Sequence, residues 1–178
     1  MIIYLILPLI ILVSFVMYDT DIYNKMNALI TITGYAALIL LSFLLLTSLS
    51  KTLSKNINQR TLGLSIFYMS VIHLFLYVFD NSFDLLFLFE DLLYRDYIIS
   101  GYIALVLFIP MYLTSFDYFK KVFTNWRKIH KIIYVINIFI LIHIYYVIKA
   151  DYTYLYIFSL ILLFIILLKF YKYNNKYE

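Results

Sequence analysis

The chain has 178 residues, of which 65% are hydrophobic and only 13% charged, and its mean hydropathy is +0.94. A soluble domain would carry about 25% charged residues, so this composition argues against a soluble protein and indicates an integral membrane protein. The absence of cysteine excludes disulfides, thiolate metal sites and cysteine nucleophiles. The net charge of +4 comes from cations dispersed over short loops, which does not suggest a nucleic-acid partner.

Six apolar runs are long enough to cross a membrane, because about 20 apolar residues in a helix span the hydrocarbon core. They lie at 2–18, 26–49, 61–79, 98–115, 132–148 and 154–170. The first run has neither a cationic start nor a small-residue cleavage site, so we expect a retained span rather than a signal peptide. No linker or repeat divides the chain. The sequence therefore predicts an all-α integral membrane protein, one domain over 1–178 forming a six-transmembrane-helix bundle.

The orientation of the bundle follows from lysine and arginine, which accumulate in cytoplasmic loops. The 51–60 loop holds three of these residues, the 116–131 loop five, and the tail after the last span three. The opposite side has only Lys25, Arg95 and Lys149, together with most of the acidic residues. We therefore predict that both termini are cytoplasmic.

The longest outer connection, 80–97, contains the segment FDLLFLFEDLL. This segment is too short and too acidic to span the membrane. It predicts a short amphipathic helix at the outer surface. Such a helix would serve either as a docking platform for an external partner or as a lid on the bundle.

Two histidines are the only readily ionisable side chains well inside the predicted spans. His73 lies seven residues before Asp80, and His143 lies six residues before Lys149. At 1.5 Å per residue both lie about 10 Å below the same boundary, on helices that run in the same direction. Two facing imidazoles at one depth can hold a planar macrocycle by its iron, and two axial ligands favour electron transfer over oxygen chemistry. Alternatively, each histidine is a buried polar group that is hydrogen-bonded across helices.

The predicted spans lack the residues that are typical of ion-coupled transporters. No acidic residue, lysine or arginine falls at mid-depth, and the chain has only 3 Gly and 2 Pro. Ion-coupled transporters often place buried charges and interrupted helices at their binding sites. The sequence therefore argues against proton-coupled or ion-coupled transport.

The third histidine, His130, lies at the cytoplasmic end of the fifth predicted span. It precedes His143 by 13 residues, which places the two about 220° apart around a straight helix, so they do not ligate one iron. A His/Met pair with Met111, a quinone or flavin contact, and an ordinary interfacial histidine remain open.

Basic residues cluster at the same inner face, among them Arg60, Arg127 and Lys128. Their charges would suit the phosphate of a flavin nucleotide, a quinone head group or haem propionates. Anchoring to anionic lipid explains them equally well.

Several short motifs occur in order along the middle of the chain. They are TGYAAL from Thr33, RTLGL from Arg60, the His73 segment FYMSVIHLFLY, RDYIISGYIAL from Arg95, TS at Thr114, and WRKIHKIIY from Trp126 ahead of His143. In this order and spacing the chain resembles the haem-binding membrane subunits of bacterial periplasmic methionine-sulfoxide reductase systems (MsrQ or YedZ), within the wider ferric-reductase-like transmembrane group. The resemblance is strongest over 30–150.

The resemblance implies a function in the bacterial cytoplasmic (inner) membrane. Such a subunit takes electrons from quinol of the membrane quinone pool and passes them through b-type haem to a periplasmic molybdopterin enzyme. That partner reduces methionine sulfoxide in oxidised proteins, so the subunit is an electron-transfer component without its own sulfoxide-reducing site. The family also implies an associated FMN, and its haem histidines map onto His73, His143 and His130.

Two other functions stay open at this point. One is a related haem-containing transmembrane reductase that serves ferric iron or another periplasmic acceptor. The other is a scaffold or assembly factor without redox chemistry, which would be colourless.

Overall fold

Helices account for every regular element in the computed structural model, which describes residues 24–49, 55–148 and 152–174 together with Ser14 and Tyr18. The elements are α1 (Lys25–Thr47), α2 (Gln59–Asp80), α3 (Leu85–Tyr94), α4 (Asp96–Leu113), α5 (Asp117–Val122), α6 (Trp126–Ile129), a 3-10 turn (His130–Ile132), α7 (Ile133–Val147) and α8 (Thr153–Asn174). The prediction of an all-α fold is confirmed for these residues.

Four helical segments are long and apolar enough to cross a membrane, and they match the second to fifth predicted spans. They are Lys25–Thr47, Gln59–Asp80, Asp96–Leu113 and Trp126–Val147. The sixth predicted span lies within α8, whose described apolar stretch is Leu155–Leu168. The first, 2–18, lies outside the described residues except for Ser14 and Tyr18. The count of six and the cytoplasmic position of the termini therefore stay predictions.

Side-chain caps begin three of the helices. The Oδ1 of Asn24 accepts from the backbone N of Asn27, and the Oδ1 of Asn58 accepts from that of Thr61. Asp84 caps α3 in the same way, because its Oδ1 accepts from the backbone N of Leu86 and of Phe87. Each cap satisfies backbone donors that have no partner inside the helix.

The spanning helices pack mainly in two antiparallel pairs, α1 with α2 and α4 with α7. The two pairs contact each other chiefly through α2 and α4, while α8 packs on α1 and α7. The end of the bundle that carries α3 is called the α3 end below, and the opposite end the basic end. The apolar core lies in the half toward the basic end, and its buried members are Leu41, Leu45, Ile66, Ala104, Phe108, Met111, Ile133, Ile136 and Ile165.

A tight reversal connects α2 to α3. Ser82 and Phe83 have φ angles of 53° and 56°, in the left-handed region that disfavours residues with a Cβ. Each such residue costs about 1–2 kcal/mol, so contacts elsewhere must stabilise the reversal. The turn folds α3 back against the bundle, where it contacts α4. The short helix predicted between 80 and 97 is thereby confirmed.

Candidate functional site

His73 is fixed by the main chain of the neighbouring helix. Its Nδ1 lies 2.8 Å from the carbonyl oxygen of Ile30 on α1. The hydroxyl oxygen of Thr33 is farther away, at 3.4 Å, and that hydroxyl also lies within 3 Å of the carbonyls of Leu29 and Ile30. The carbonyl of Ile30 is therefore the main partner of this ring.

His143 is held in the same manner within the other helix pair. Its Nδ1 lies 2.6 Å from the carbonyl oxygen of Tyr97 at the start of α4. The aromatic ring of Tyr97 also lies beside the imidazole, with 6.2 Å between the ring centres. Each helix pair thus supplies one histidine from its second helix and one backbone carbonyl from its first.

These two hydrogen bonds determine which nitrogen of each ring carries the proton. A carbonyl oxygen only accepts, so the Nδ1 of His73 and that of His143 must donate. In the neutral rings the lone pair is then on Nε2. Among the residues that the structure describes, neither Nε2 has a hydrogen-bond partner. An imidazole whose second N–H is held by a carbonyl is the usual arrangement for a metal ligand.

A glycine lies beneath each imidazole. A Cβ added at Gly34 would lie 3.1 Å from the Cε1 of His73, and one added at Gly101 would lie 2.9 Å from the Nδ1 of His143. Gly34 is four residues after Ile30, and Gly101 is four residues after Tyr97, so each glycine is one turn beyond the carbonyl that binds the ring. The missing side chains let the rings approach the helix backbones closely enough to form these hydrogen bonds.

The separation of the two rings suits a single metal ion between them. The ring centres of His73 and His143 are 6.2 Å apart, and the ring planes are inclined by 84°. Two metal–imidazole bonds in line, each about 2 Å long and continued by about 1.1 Å to the ring centre, also give about 6 Å. The tautomers and the spacing therefore fit a haem iron, which His73 and His143 would hold through the lone pairs on Nε2.

His130 has a different environment. It is half-buried in the 3-10 turn, with its Nε2 3.2 Å from the hydroxyl oxygen of Thr114 and its ring against Trp126. The single proton of that hydroxyl serves the carbonyls of Pro110 and Met111, so the Nε2 of His130 is the donor. His130 therefore has the opposite tautomer to the other two histidines, and the structure does not bring it to them.

The basic residues at the basic end are in contact with other side chains. Arg60 forms an ion pair with Asp117 at 3.5 Å and lies over the ring of Phe116. Arg127 lies over the ring of Trp126, next to His130, and is exposed. Arg127 can therefore meet an anionic group near His130, whereas Arg60 already has a carboxylate partner.

The sequence alone did not identify some residues near the site. Asp91, on α3, is 5% exposed, whereas the acidic residues of an amphipathic surface helix ordinarily face water. It contacts Tyr77 and Arg95, and Arg95 reaches the hydroxyl of Tyr97. The sequence signal was the position of Tyr77, one turn beyond His73, and of Arg95, four residues beyond Asp91.

Comparison with known proteins gives one family and a set of relatives. A family model described as ferric reductase like transmembrane component matches residues 33–142. The protein-methionine-sulfoxide reductase heme-binding subunit MsrQ of Xanthomonas oryzae pv. oryzae (strain MAFF 311018) is 32% identical over 95 residues, which are 52% of this chain and 44% of that protein. The MsrQ of Brucella anthropi is 35% identical over 79 residues, 43% of this chain and 36% of that protein. The chain thus matches less than half the length of these relatives, and no solved structure matches it.

Proposed function

Since the chain belongs to the family of ferric-reductase-like transmembrane components, and is a multi-pass membrane protein with four spans among its described residues, we propose that it is the haem-binding subunit of a methionine-sulfoxide reductase system. In this role it passes electrons across the bacterial inner membrane to a periplasmic molybdopterin reductase. The names of the similar proteins support the proposal, because they describe heme-binding subunits of such reductases.

One observation carries the proposal. The imidazoles of His73 and His143 each donate Nδ1–H to a backbone carbonyl, and their ring centres are 6.2 Å apart. A b-type haem held by these rings would supply a one-electron carrier in the half of the bundle nearer the α3 end. The two carbonyls hold both rings in one orientation.

A reduced-minus-oxidised absorption spectrum of the purified full chain tests the proposal. We expect a low-spin b-type haem in the wild type and its loss in His73→Ala and in His143→Ala. Ser70→Ala is the matched control on α2, because the Ser70 hydroxyl bonds only the carbonyl of Ile66 among the described residues, one turn back on its own helix. A colourless wild type, or haem that survives loss of both histidines, would falsify the proposal.

The source of the electrons is proposed to be membrane quinol, taken up near His130. The exposed Arg127 next to His130 supports an anionic ligand at the basic end. The Nε2 of His130 already donates to Thr114, so its Nδ1 would accept from a quinol hydroxyl. FMN is a further candidate there because its phosphate suits Arg60 and Arg127. The rate at which a soluble quinol analogue reduces the haem, compared between the wild type and His130→Ala, tests the first idea. Release of flavin fluorescence on denaturation tests the second.

A second candidate electron acceptor is ferric iron. The description of the matching family model refers to ferric reductases, and this model matches more of the chain than the relatives do. In that case the reduced protein would donate electrons to a ferric chelate. Stopped-flow oxidation of the reduced haem by ferric citrate, compared with oxidation by a methionine-sulfoxide reductase catalytic subunit, separates the two acceptors.

A further inference from the structure

In helix α3 a charged residue points into the bundle, while apolar residues are exposed. Asp91 is 5% exposed, whereas its apolar neighbours Leu86 and Phe89 are 74% and 62% exposed. Other acids of this segment, Asp84 and Glu90, remain exposed. A buried carboxylate is unfavourable unless it is paired and hydrogen-bonded, so the inward position of Asp91 needs a specific reason.

Each carboxylate oxygen of Asp91 has its own partner, and the two partners lie on different elements. The hydroxyl of Tyr77, on α2, donates to Oδ2 at 2.5 Å. The Nε of Arg95, in the junction between α3 and α4, lies 3.0 Å from Oδ1. The Nη1 of the same guanidinium donates to the hydroxyl of Tyr97 at 2.9 Å. Asp91 therefore joins the first helix pair to the beginning of the second.

Each end of this network lies on an element that carries or binds one of the two imidazoles. Tyr77 lies four residues after His73, which is one turn closer to the α3 end on the same helix. Tyr97 supplies the carbonyl that accepts from the Nδ1 of His143. The two histidines belong to separate helix pairs, and among the described residues the hydrogen bonds of each ring lie within its own pair.

The strained reversal between α2 and α3 agrees with a positional role. Ser82 and Phe83 both adopt positive φ angles there, and the chain turns back so that Asp91 meets Tyr77 of the preceding helix. Strain of this kind persists where surrounding contacts over-determine the conformation, and the bonds to Asp91 are such contacts.

We propose that Asp91 is a positioning residue that sets the spacing between His73 and His143 by tying Tyr77 of one helix pair to Arg95 and Tyr97 of the other. This inference rests on the proposed haem site. A residue that served only to attach α3 would affect the stability of the protein, but not the spin state of the haem, which depends on how both imidazoles reach the iron.

The test compares the wild type, Asp91→Asn, Tyr77→Phe and Glu90→Gln as full-length proteins in detergent. We measure the ferric spin state, the midpoint potential and the rate of haem release to an acceptor protein. Asp91→Asn removes the charged partner of Arg95, and Tyr77→Phe removes one hydroxyl. Glu90→Gln removes an equal charge at the adjacent, exposed position and is the matched control.

We expect high-spin haem to appear and haem release to become about tenfold faster in Asp91→Asn, the change that follows from losing one charge-assisted hydrogen bond. Tyr77→Phe should change these properties in the same direction, and Glu90→Gln should match the wild type. If Asp91→Asn does not accumulate as a folded protein, the spin state and haem release of Tyr77→Phe test the inference instead. Wild-type spectra, potential and release in these variants, with only a lower melting temperature, would overturn the inference. A wild type without haem would instead overturn the proposed function, and this inference with it.

Discussion

Gly101 lies so close to His143 that a Cβ at position 101 would be 2.9 Å from the Nδ1 of the ring. Real side chains essentially never approach so closely, and the neighbouring atoms belong to a ring that is held by the carbonyl of Tyr97. We predict that Gly101→Ala displaces the imidazole and weakens haem binding at least about tenfold, or 1.4 kcal/mol. The haem-to-protein ratio after purification measures the effect.

The other two glycines provide a graded series for this prediction. Gly34→Ala should be milder, because its Cβ would lie 3.1 Å from the Cε1 of His73. Gly63→Ala is the control, since nothing lies within 4 Å of the added Cβ. It should retain haem and raise stability by at most about 1 kcal/mol, the difference in helix propensity. Equal haem loss in all three variants would contradict the close packing described for Gly101.

Thr33 offers a test of which oxygen holds His73. The carbonyl of Ile30 is 2.8 Å from the Nδ1 of the ring, whereas the hydroxyl oxygen of Thr33 is 3.4 Å away, beyond the usual range for N–H···O bonds. Thr33→Val should therefore keep the haem content and spectrum of the wild type, with a loss of stability of about 1 kcal/mol. A spectral change comparable to that of Gly34→Ala would show that the hydroxyl is the essential partner.

Under the proposed function, the number of haems per chain depends on whether His130 is a haem ligand. Its Nε2 donates to Thr114, and among the described residues no second histidine lies near it. We predict that His130→Ala leaves the haem-to-protein ratio unchanged, as determined by pyridine haemochrome and amino-acid analysis. A ratio that falls by half would instead assign His130 to a second haem.

The pH dependence of stability should contain a contribution from Asp117 at the basic end. A hydrogen bond from Lys120 and the charge of Arg60 hold the pKa of this carboxyl below its ordinary value of 3.8. Because the folded pKa is the lower one, the stabilisation is present above 3.8 and is lost as the pH falls through the folded value. Asp117→Asn should therefore lose slightly less melting temperature on acidification. The effect should be small because Asp117 is exposed, and identical acid profiles would show that the pairs contribute nothing.

The absence of cysteine makes the membrane orientation directly measurable. Glu90 and Lys121 are exposed at opposite ends of the bundle. We predict that a membrane-impermeant maleimide labels Glu90→Cys in spheroplasts, and labels Lys121→Cys only after permeabilisation. The cysteine-free wild type controls for background labelling. The reverse pattern would place the basic end outside and contradict the orientation inferred from the cations.

The positions of the helices and the depth of the histidines could be read from the residues because both depend on short-range regularities. Apolar length predicts a span, and the rise per residue converts the distance from Asp80 to His73 into a depth. The structure brings His73 and His143 together as that depth requires, while their ligation of iron stays a prediction.

The partners of the histidines could not be predicted in the same way. Ile30 and Tyr97 bind through carbonyl groups, which every residue has, so their side chains give no signal. Asp91 was misleading for a different reason. In an amphipathic helix at a surface the acids are expected to face water, and only the packing of α3 against Tyr77 and Arg95 reveals that this acid faces inward.

The carbonyl bonds from Ile30 and Tyr97 have a consequence for the speed of electron transfer. A redox centre exchanges electrons quickly when its ligands move little between oxidation states, which means that its reorganisation energy is low. Here each imidazole is bound to the main chain of a helix and rests against a glycine on that same helix. Neither ring can swing without disturbing helical backbone. An iron held between the rings, as proposed, would therefore keep both ligands in the same orientation in its two oxidation states.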